Sequence, residues 1–347
     1  MPVTVLTTAQ WQARAAAHRA AVAMYTDAWR ERRARGAVHP VYDFLFQYYH
    51  YSPAKLEAWH PDPLEALEDS PEARALFGAP RYVASNHLIH RRPITPPIKG
   101  SELLIGEPIK GSELLIGNPI KGSELLIGDP IKGSELLIGD PIKGSELLIG
   151  ERTRMQEALQ LLRATQERPA NFGCFGMHEW AMVYRGTEVR HQATAPLRLS
   201  QAEVDAFVES RPVACSHFDA FRFFSPSARP LNRLPLAWES RYDHEQPGCI
   251  HANMDLYRWA YASMPWIGSD LLAECFRLAV ALRELDMQAA PYDLAAFGVV
   301  PVCIETAAGR DEYQTRQRAL SARAGELRAR LIDRISVALG APVESPV

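Results

Sequence analysis

Three stretches of the sequence carry ionisable side chains among apolar and aromatic residues, a setting in which such side chains could do chemistry. In the first stretch, from Gly173 to Tyr184, a glycine-rich turn delivers His178 and Glu179 beside aromatic residues. Burial raises the pKa of a carboxyl group, which suits general acid or base catalysis near neutral pH. We therefore predict His178 and Glu179 as catalytic residues, although Glu179 could instead cap the backbone at the end of a helix or strand.

The second stretch, residues 216–224, contains His217 and Asp219 on either side of a phenylalanine. Side chains alternate along an extended strand, so these two residues would share one face. An aspartate held between aromatic rings could orient a water molecule, and we predict both His217 and Asp219 as catalytic residues. The alternative is a structural ion pair between Asp219 and Arg222.

The third stretch, residues 245–259, places His251 and Asp255 four residues apart. On a helix this spacing puts both side chains on one face, either as an ion pair or as two metal ligands. With His217 they would complete a site of two histidines and one carboxylate for a divalent metal. The spacing is not diagnostic, because the metal-binding patterns H-E-x-x-H and C-x-x-C are both absent.

Composition and missing motifs exclude several classes of protein. The 347 residues are 47% hydrophobic and 23% charged, which is typical of a globular chain. No apolar run approaches the roughly 18 residues of a membrane span, and the N-terminus lacks a signal-peptide pattern, so we expect a cytoplasmic protein without membrane contact. Five widely spaced cysteines indicate neither a disulfide scaffold nor a zinc knuckle. The nucleotide-cofactor and serine-hydrolase motifs G-x-G-x-x-G, P-loop and G-x-S-x-G are absent as well.

Residues 97–151 are five copies of PIKGSELLIG, each followed by one variable acidic or amide residue. The proline and two glycines of every unit argue against a continuous helix through the array, since a proline costs about 3 kcal/mol in a helix interior. Each unit could form one helical turn or one short strand, and both are marginal without packing. We predict that 97–151 is a surface insertion in a host domain formed by residues 1–96 and 152–347.

Apolar residues recur at spacings of three and four over most of the host, which indicates helices. Helices are predicted at 8–35, 41–49, 53–59, 63–76, 152–168, 200–210, 254–264, 269–287 and 310–339. Strands are predicted at 81–85, 180–184, 213–224 and 299–305. The predicted fold class is therefore mainly α, a single helical domain with a few short strands, interrupted by the repeat array.

Five segments distributed over the host resemble one known family. They are HPVYDFLFQYYHYSPAKLEAWHP, NFGCFGMHEWAMVYR, SHFDAFRFFSPSARPLNR, QPGCIHANMDLYRWAY and LDMQAAPYDL. These segments are similar to a bacterial family, common in actinobacteria, whose members carry the name 3-methyladenine DNA glycosylase. The resemblance implies an activity for the host, with the array as an intrusion. It implies no particular catalytic residue, because no L-P-G-[IV]-G segment or other glycosylase signature is present to carry residues over.

Glycosylase activity would require particular side chains in this sequence. A glycosylase must flip the base, stack it between aromatic rings and break its N-glycosidic bond, with Glu179 or Asp219 as the carboxylate here. Outside the array the chain has only Lys55, which argues for a monofunctional hydrolase without a lysine Schiff base. No cofactor is expected for that reaction. The residues predicted to bind the substrate are Trp180, Tyr184, Phe221, Arg222, Trp259 and Tyr292.

DNA is the partner that this activity implies. Arginines near the first predicted helix and along the last one would contact its phosphates, unless they are simply solvated helix surface. These arginines are Arg14, Arg30, Arg32, Arg33, Arg35, Arg316, Arg323 and Arg330.

Two hypotheses from other classes stay open. One is a helical, non-haem metal-dependent enzyme, oxygenase-like, whose divalent metal is bound by His217, His251 and Asp255. The other treats the array as a repeated peptide substrate of the host, or as a docking segment for a partner. Both the glycosylase hypothesis and the metalloenzyme hypothesis require His217, His251 and Asp255 to lie close to Glu179 and Asp219. Burying such groups singly would be costly.

Overall fold

The computed structural model describes residues 3–92, 94, 141–186 and 195–340, with side chains of the helix that begins at Pro141 described from Leu148 onward. Twelve helices and one small sheet in these ranges confirm the predicted mainly α fold. The helices are α1 (Thr8–Ala34), α2 (Phe44–Tyr48), α3 (Pro53–Glu57), α4 (Pro71–Leu76), α5 (Pro141–Gln166), α6 (Met177–Val183), α7 (Gln201–Glu209), α8 (Phe218–Phe221), α9 (Arg241–His244), α10 (Ile250–Ala262), α11 (Ser269–Gln288) and α12 (Ala307–Ala338).

Helix α11 lies at the centre of the main core. It packs against α10, α12 and α1, and α10 and α12 also contact α5. Most of its side chains are apolar and buried, among them Leu272, Phe276 and Leu282, and a narrow stripe from Asp270 to Gln288 is partly exposed. Charged residues near its C-terminal end are therefore held inside the protein.

A strained turn precedes α6 and directs its first residues towards α11. Phe175 and Gly176 both have positive φ angles, 48° and 74°. Glycine adopts this left-handed conformation without steric cost, and a Cβ atom placed on Gly176 would lie only 3.3 Å from the Cβ of Ala289, just after α11. The predicted strand at 180–184 is wrong, because this turn starts a helix and the apolar run that follows is one buried helical segment.

The sheet has four short strands in the order β1 (Thr4–Leu6), β2 (Glu65–Glu68), β4 (Leu88–Arg91) and β3 (Tyr82–Ser85). Strand β1 runs parallel to β2, and the other neighbours are antiparallel. Beside the sheet, Trp11, Trp59 and Phe77 belong to a second, smaller core.

Three further secondary-structure predictions differ from the structure. The predicted helix 63–76 is strand β2 followed by α4. The strand predicted at 81–85, in contrast, is present as β3. The predicted strand 213–224 consists of turns and the short helix α8, and 299–305 forms no strand. Short apolar runs fit a buried helix or coil as well as a strand, which explains these errors.

The fifth copy of the repeat belongs to the host structure. Helix α5 begins at Pro141, the first residue of that copy, where the missing backbone N–H of proline costs a helix little. Leu148 packs against the main core, and the buried carboxylate of Glu151 accepts a hydrogen bond from Arg81 Nη2 at 2.5 Å. The helix predicted at 152–168 thus starts one unit earlier, and the first four copies lie outside the described residues.

No helix in the described ranges is both long enough and apolar enough to cross a membrane.

We predict that the middle copies of the array can be removed without loss of folding. Deleting residues 108–140 keeps the fifth copy and its contacts with Arg81 and the core. If the deleted copies make no stabilising contacts, the shorter connection should raise the free energy of unfolding by about 1 kcal/mol, because loop closure costs less entropy. Thermal and urea unfolding of the purified variant would measure this change. The matched deletion of 97–151 also removes Leu148 and Glu151 and should be less stable than the 108–140 variant, and equal stability would contradict the assignment of the fifth copy to the host.

Candidate functional site

Two histidines and one aspartate from three different helices meet at the centre of the protein. His178 comes from α6, His251 from α10 and Asp286 from α11, and one potential ligand atom of each lies within 4.8 Å of the others. The rings of His178 and His251 meet edge to face, with centroids 4.2 Å apart. Nε2 of His178 lies 3.1 Å from Oδ1 of Asp286. We refer to these three residues as the triad.

The triad is enclosed except at His251. His178 and Asp286 are buried, with 1% and 0% of their surface exposed, whereas His251 is partly exposed. The triad is therefore closest to solvent on the side of α10.

Several triad atoms lack the hydrogen bonds that buried polar atoms normally make. Among the described residues, Nδ1 and Nε2 of His178 and Oδ1 of Asp286 are buried without a hydrogen-bond partner. Nε2 and Oδ1 nevertheless lie 3.1 Å apart and form an ion-pair contact. Because an unsatisfied buried group costs about 1–3 kcal/mol, such a concentration of unpartnered atoms calls for an explanation.

Arg283 binds one oxygen of Asp286, and the other oxygen faces His178. Its Nη1 donates to Asp286 Oδ2 at 2.6 Å and to Glu179 Oε1 at 3.1 Å. The guanidinium also stacks on the ring of Phe44, with 3.9 Å between its central carbon and the ring centroid. This arrangement fixes the orientation of Asp286 in the way that outer partners orient the ligands of metal sites.

The electrostatics of the triad follow from burial and close charges. Burial disfavours protonation of His178, but the carboxylate of Asp286 outweighs it and raises the pKa of His178 well above its ordinary value. Burial and the neighbouring His178 lower the pKa of His251 well below its ordinary value, so His251 is a neutral imidazole at neutral pH. Burial opposes ionisation of Asp286, yet His178 and Arg283 lower the pKa of this carboxyl group.

A second polar cluster adjoins the triad through His217, whose ring lies 5.5 Å from that of His251. Nε2 of His217 is 3.3 Å from Asp255 Oδ2 and 3.8 Å from Glu245 Oε1. Asp255 Oδ1 also accepts a hydrogen bond from the Tyr49 hydroxyl at 2.7 Å.

Charge and burial shift the pKa values of this second cluster. Burial opposes protonation of His217, but Glu245 and Asp255 raise its pKa to about 9. Burial raises the pKa of Glu245 to about 7, against the opposing effect of His217. Asp255 is buried too, but its contact with His217 lowers its pKa to about 2. Glu245 thus has a pKa near neutrality, and the sequence analysis did not select it.

The structure brings most of the predicted polar residues together, in a different grouping from the predicted one. Of the predicted ligands His217, His251 and Asp255, only His251 belongs to the triad, and the other two pair with each other. Glu179 lies beside the triad and pairs with Arg283.

Asp219 forms ion pairs, as the structural alternative expected. Its Oδ2 accepts a hydrogen bond from Arg258 Nη1 at 2.9 Å, and its Oδ1 is 3.2 Å from Arg222 Nε. His217 is the residue directly before α8 and does not lie on a strand, so the predicted shared strand face of His217 and Asp219 does not form. Through Arg258, which is 3.7 Å from Asp255, the Asp219 pair nevertheless borders the second cluster.

The predicted substrate-binding aromatics divide into two groups. Trp180, Tyr184 and Tyr292 are buried in the main core, where the Trp180 indole donates to the Ala289 carbonyl at 2.8 Å. Their rings are enclosed and offer no open face for stacking a base. Phe221 and Trp259 are partly exposed, and the Arg258 guanidinium lies over the Trp259 ring.

Several arginines that were expected to contact DNA phosphates are engaged in ion pairs within the chain. Arg30 pairs with Glu57, and Arg330 pairs with Glu274. The others in such pairs are Arg14, Arg32 and Arg316.

Asp286 and Arg283 were missed by sequence reasoning, although the sequence held a signal for them. They are an acid and a base three residues apart in a helix whose remaining positions are mostly apolar. Charged residues are almost never fully buried unless they are paired, so a charged pair that continues the apolar spacing of Phe276 and Ala279 indicates an internal polar site.

Comparison with known proteins finds no matching family model and no significantly similar curated protein or solved structure. The function must therefore be argued from the site itself.

We predict that Arg283 is essential to the stability of this site. Replacing it in Arg283→Met leaves Glu179 and Asp286 buried without their cation and should lower the free energy of unfolding by about 3–5 kcal/mol. Urea denaturation would measure the loss. Arg330→Met is the matched control, because its pair with Glu274 is exposed and should contribute no more than about 1 kcal/mol. Equal effects of the two substitutions would contradict the central position given to Arg283.

Proposed function

We propose that this protein is a metal-dependent enzyme whose divalent transition metal ion is bound by His178, His251 and Asp286. The observation that carries the proposal is the convergence of three ligand atoms within 4.8 Å, with buried nitrogen and oxygen atoms of His178 and Asp286 that make no hydrogen bond in the described part of the chain. A metal ion would supply the missing partner for these atoms. Imidazole and carboxylate ligands suit zinc, iron, manganese and related ions.

The number of ligands favours a catalytic metal over a structural one. Structural zinc sites are closed by four protein ligands, whereas catalytic sites have three and keep a position open for water or substrate. Two histidines and one carboxylate are also the ligands of non-haem iron oxygenases, which use open positions in the same way. The partly exposed side of His251 would give a substrate access to the open positions.

We expect the purified protein to bind about one divalent metal ion per chain, as three convergent ligands would. His178→Ala and Asp286→Asn should each abolish binding, because each removes one of only three ligands. Metal content after dialysis, measured by plasma mass spectrometry, tests this expectation.

His217→Ala and Asp255→Asn are the matched controls for metal binding. Both change buried polar residues next to the triad without removing a triad ligand, so both variants should keep their metal. Loss of metal in the controls and retention in Asp286→Asn would instead support the ligand set predicted from the sequence. A wild-type protein that holds no metal would reject the proposal.

DNA glycosylase activity stays a prediction of the family resemblance, and it can be separated from metal catalysis. A hydrolase that relies on positioning and a carboxylate should release 3-methyladenine from methylated DNA in the presence of a chelator. Asp219→Asn should then abolish release and leave DNA binding largely intact. If the metal proposal is right, this base release should be absent or should stop when the chelator is added.

A further inference from the structure

The hydroxyl group of Tyr313 is a further unpartnered polar group, at the turn that leads to His178. Tyr313 lies in α12 and is completely buried. Within the described ranges its hydroxyl has no hydrogen-bond partner. A Cβ atom placed on Gly176 would lie 3.4 Å from the hydroxyl oxygen, which locates that oxygen at the turn that starts α6.

This position lies between the two elements that supply His178 and Asp286. Gly176 precedes His178 by two residues, and the Ala289 side chain, which follows Asp286 by three residues, contacts the same point. Burial, followed by the negative charge of Asp286, raises the pKa of the Tyr313 hydroxyl well above its ordinary value. The hydroxyl therefore keeps its proton and can act as a hydrogen-bond donor.

An unpartnered buried hydroxyl costs free energy unless something binds to it. A phenylalanine at this position would avoid that cost. The unpartnered atoms of His178 and Asp286 lie on the elements that flank the Tyr313 hydroxyl. A metal ion satisfies the histidine and aspartate atoms, but a protonated phenol needs an acceptor.

We propose that the triad metal binds a small anionic or water-derived ligand that accepts a hydrogen bond from Tyr313. The ligand class is an oxygen or nitrogen donor such as hydroxide or a small inorganic anion. The inference rests on the proposed metal site and adds the group that selects what occupies the metal's open position. Tyr313 is thereby a binding residue for the exogenous ligand and not a ligand of the metal.

The test uses full-length protein loaded with Co²⁺ and titrated with azide, followed by visible absorption. Azide is a small anion that can bind a metal and accept a hydrogen bond at the same time. Tyr313→Phe should bind as much cobalt as the wild type but bind azide about tenfold more weakly, which is the effect of one hydrogen bond to a charged acceptor. The substitution removes only an unpartnered hydroxyl, so the fold should be retained.

Tyr257→Phe is the matched control. Tyr257 is also completely buried with an unpartnered hydroxyl, but its ring packs among Tyr51, Tyr261 and Phe276. This variant should bind azide like the wild type.

Three other results would contradict the inference, and each has a different meaning. Equal azide affinity in Tyr313→Phe and the wild type would show that the hydroxyl does not contact the bound ligand. Loss of cobalt from Tyr313→Phe would make Tyr313 a metal ligand instead. Absence of cobalt from the wild type would reject the proposed function itself, and the inference with it.

Discussion

The buried ion pair between Asp286 and Arg283 is the constraint to which the surrounding structure is adapted. Both residues are buried on the side of α11 that packs into the main core. A carboxylate in that position is tolerated only with close cations, and Arg283 supplies one through Oδ2 while His178 approaches the other oxygen. The turn before α6, the ring of Phe44 and the start of α10 all lie where they enclose this pair.

The two polar clusters meet through their histidines and have different characters. The triad combines unpartnered atoms with a single partly exposed member, which is the setting of a binding centre. In the second cluster, hydrogen bonds and ion pairs connect Tyr49, Asp255, His217 and the Arg258 pair. The carboxylate of Asp255 thus has fixed partners, although Nδ1 of His217 is buried without a hydrogen bond in the described residues.

Sequence patterns were informative where the periodicity was long and failed where the outcome depended on packing. Helix α1 was predicted almost to its ends, because its apolar spacing extends over 27 residues. His178 and His251 were selected because polar residues stood out in apolar stretches. Asp286 was not selected, since its proximity to His178 depends on how α6 packs against α11. The segment 213–224 was misassigned because a short aromatic run fits several structures.

The triad joins segments that are far apart in the chain, at positions 178, 251 and 286. An ion held by all three would act as a cross-link, closing loops that an unfolded chain would otherwise leave free, in the manner of a disulfide. Unfolding would then require release of the ion, so the stability of the protein would be linked to the free concentration of the metal. Cellular metal supply would in that way set both the occupancy of the centre and the lifetime of the fold.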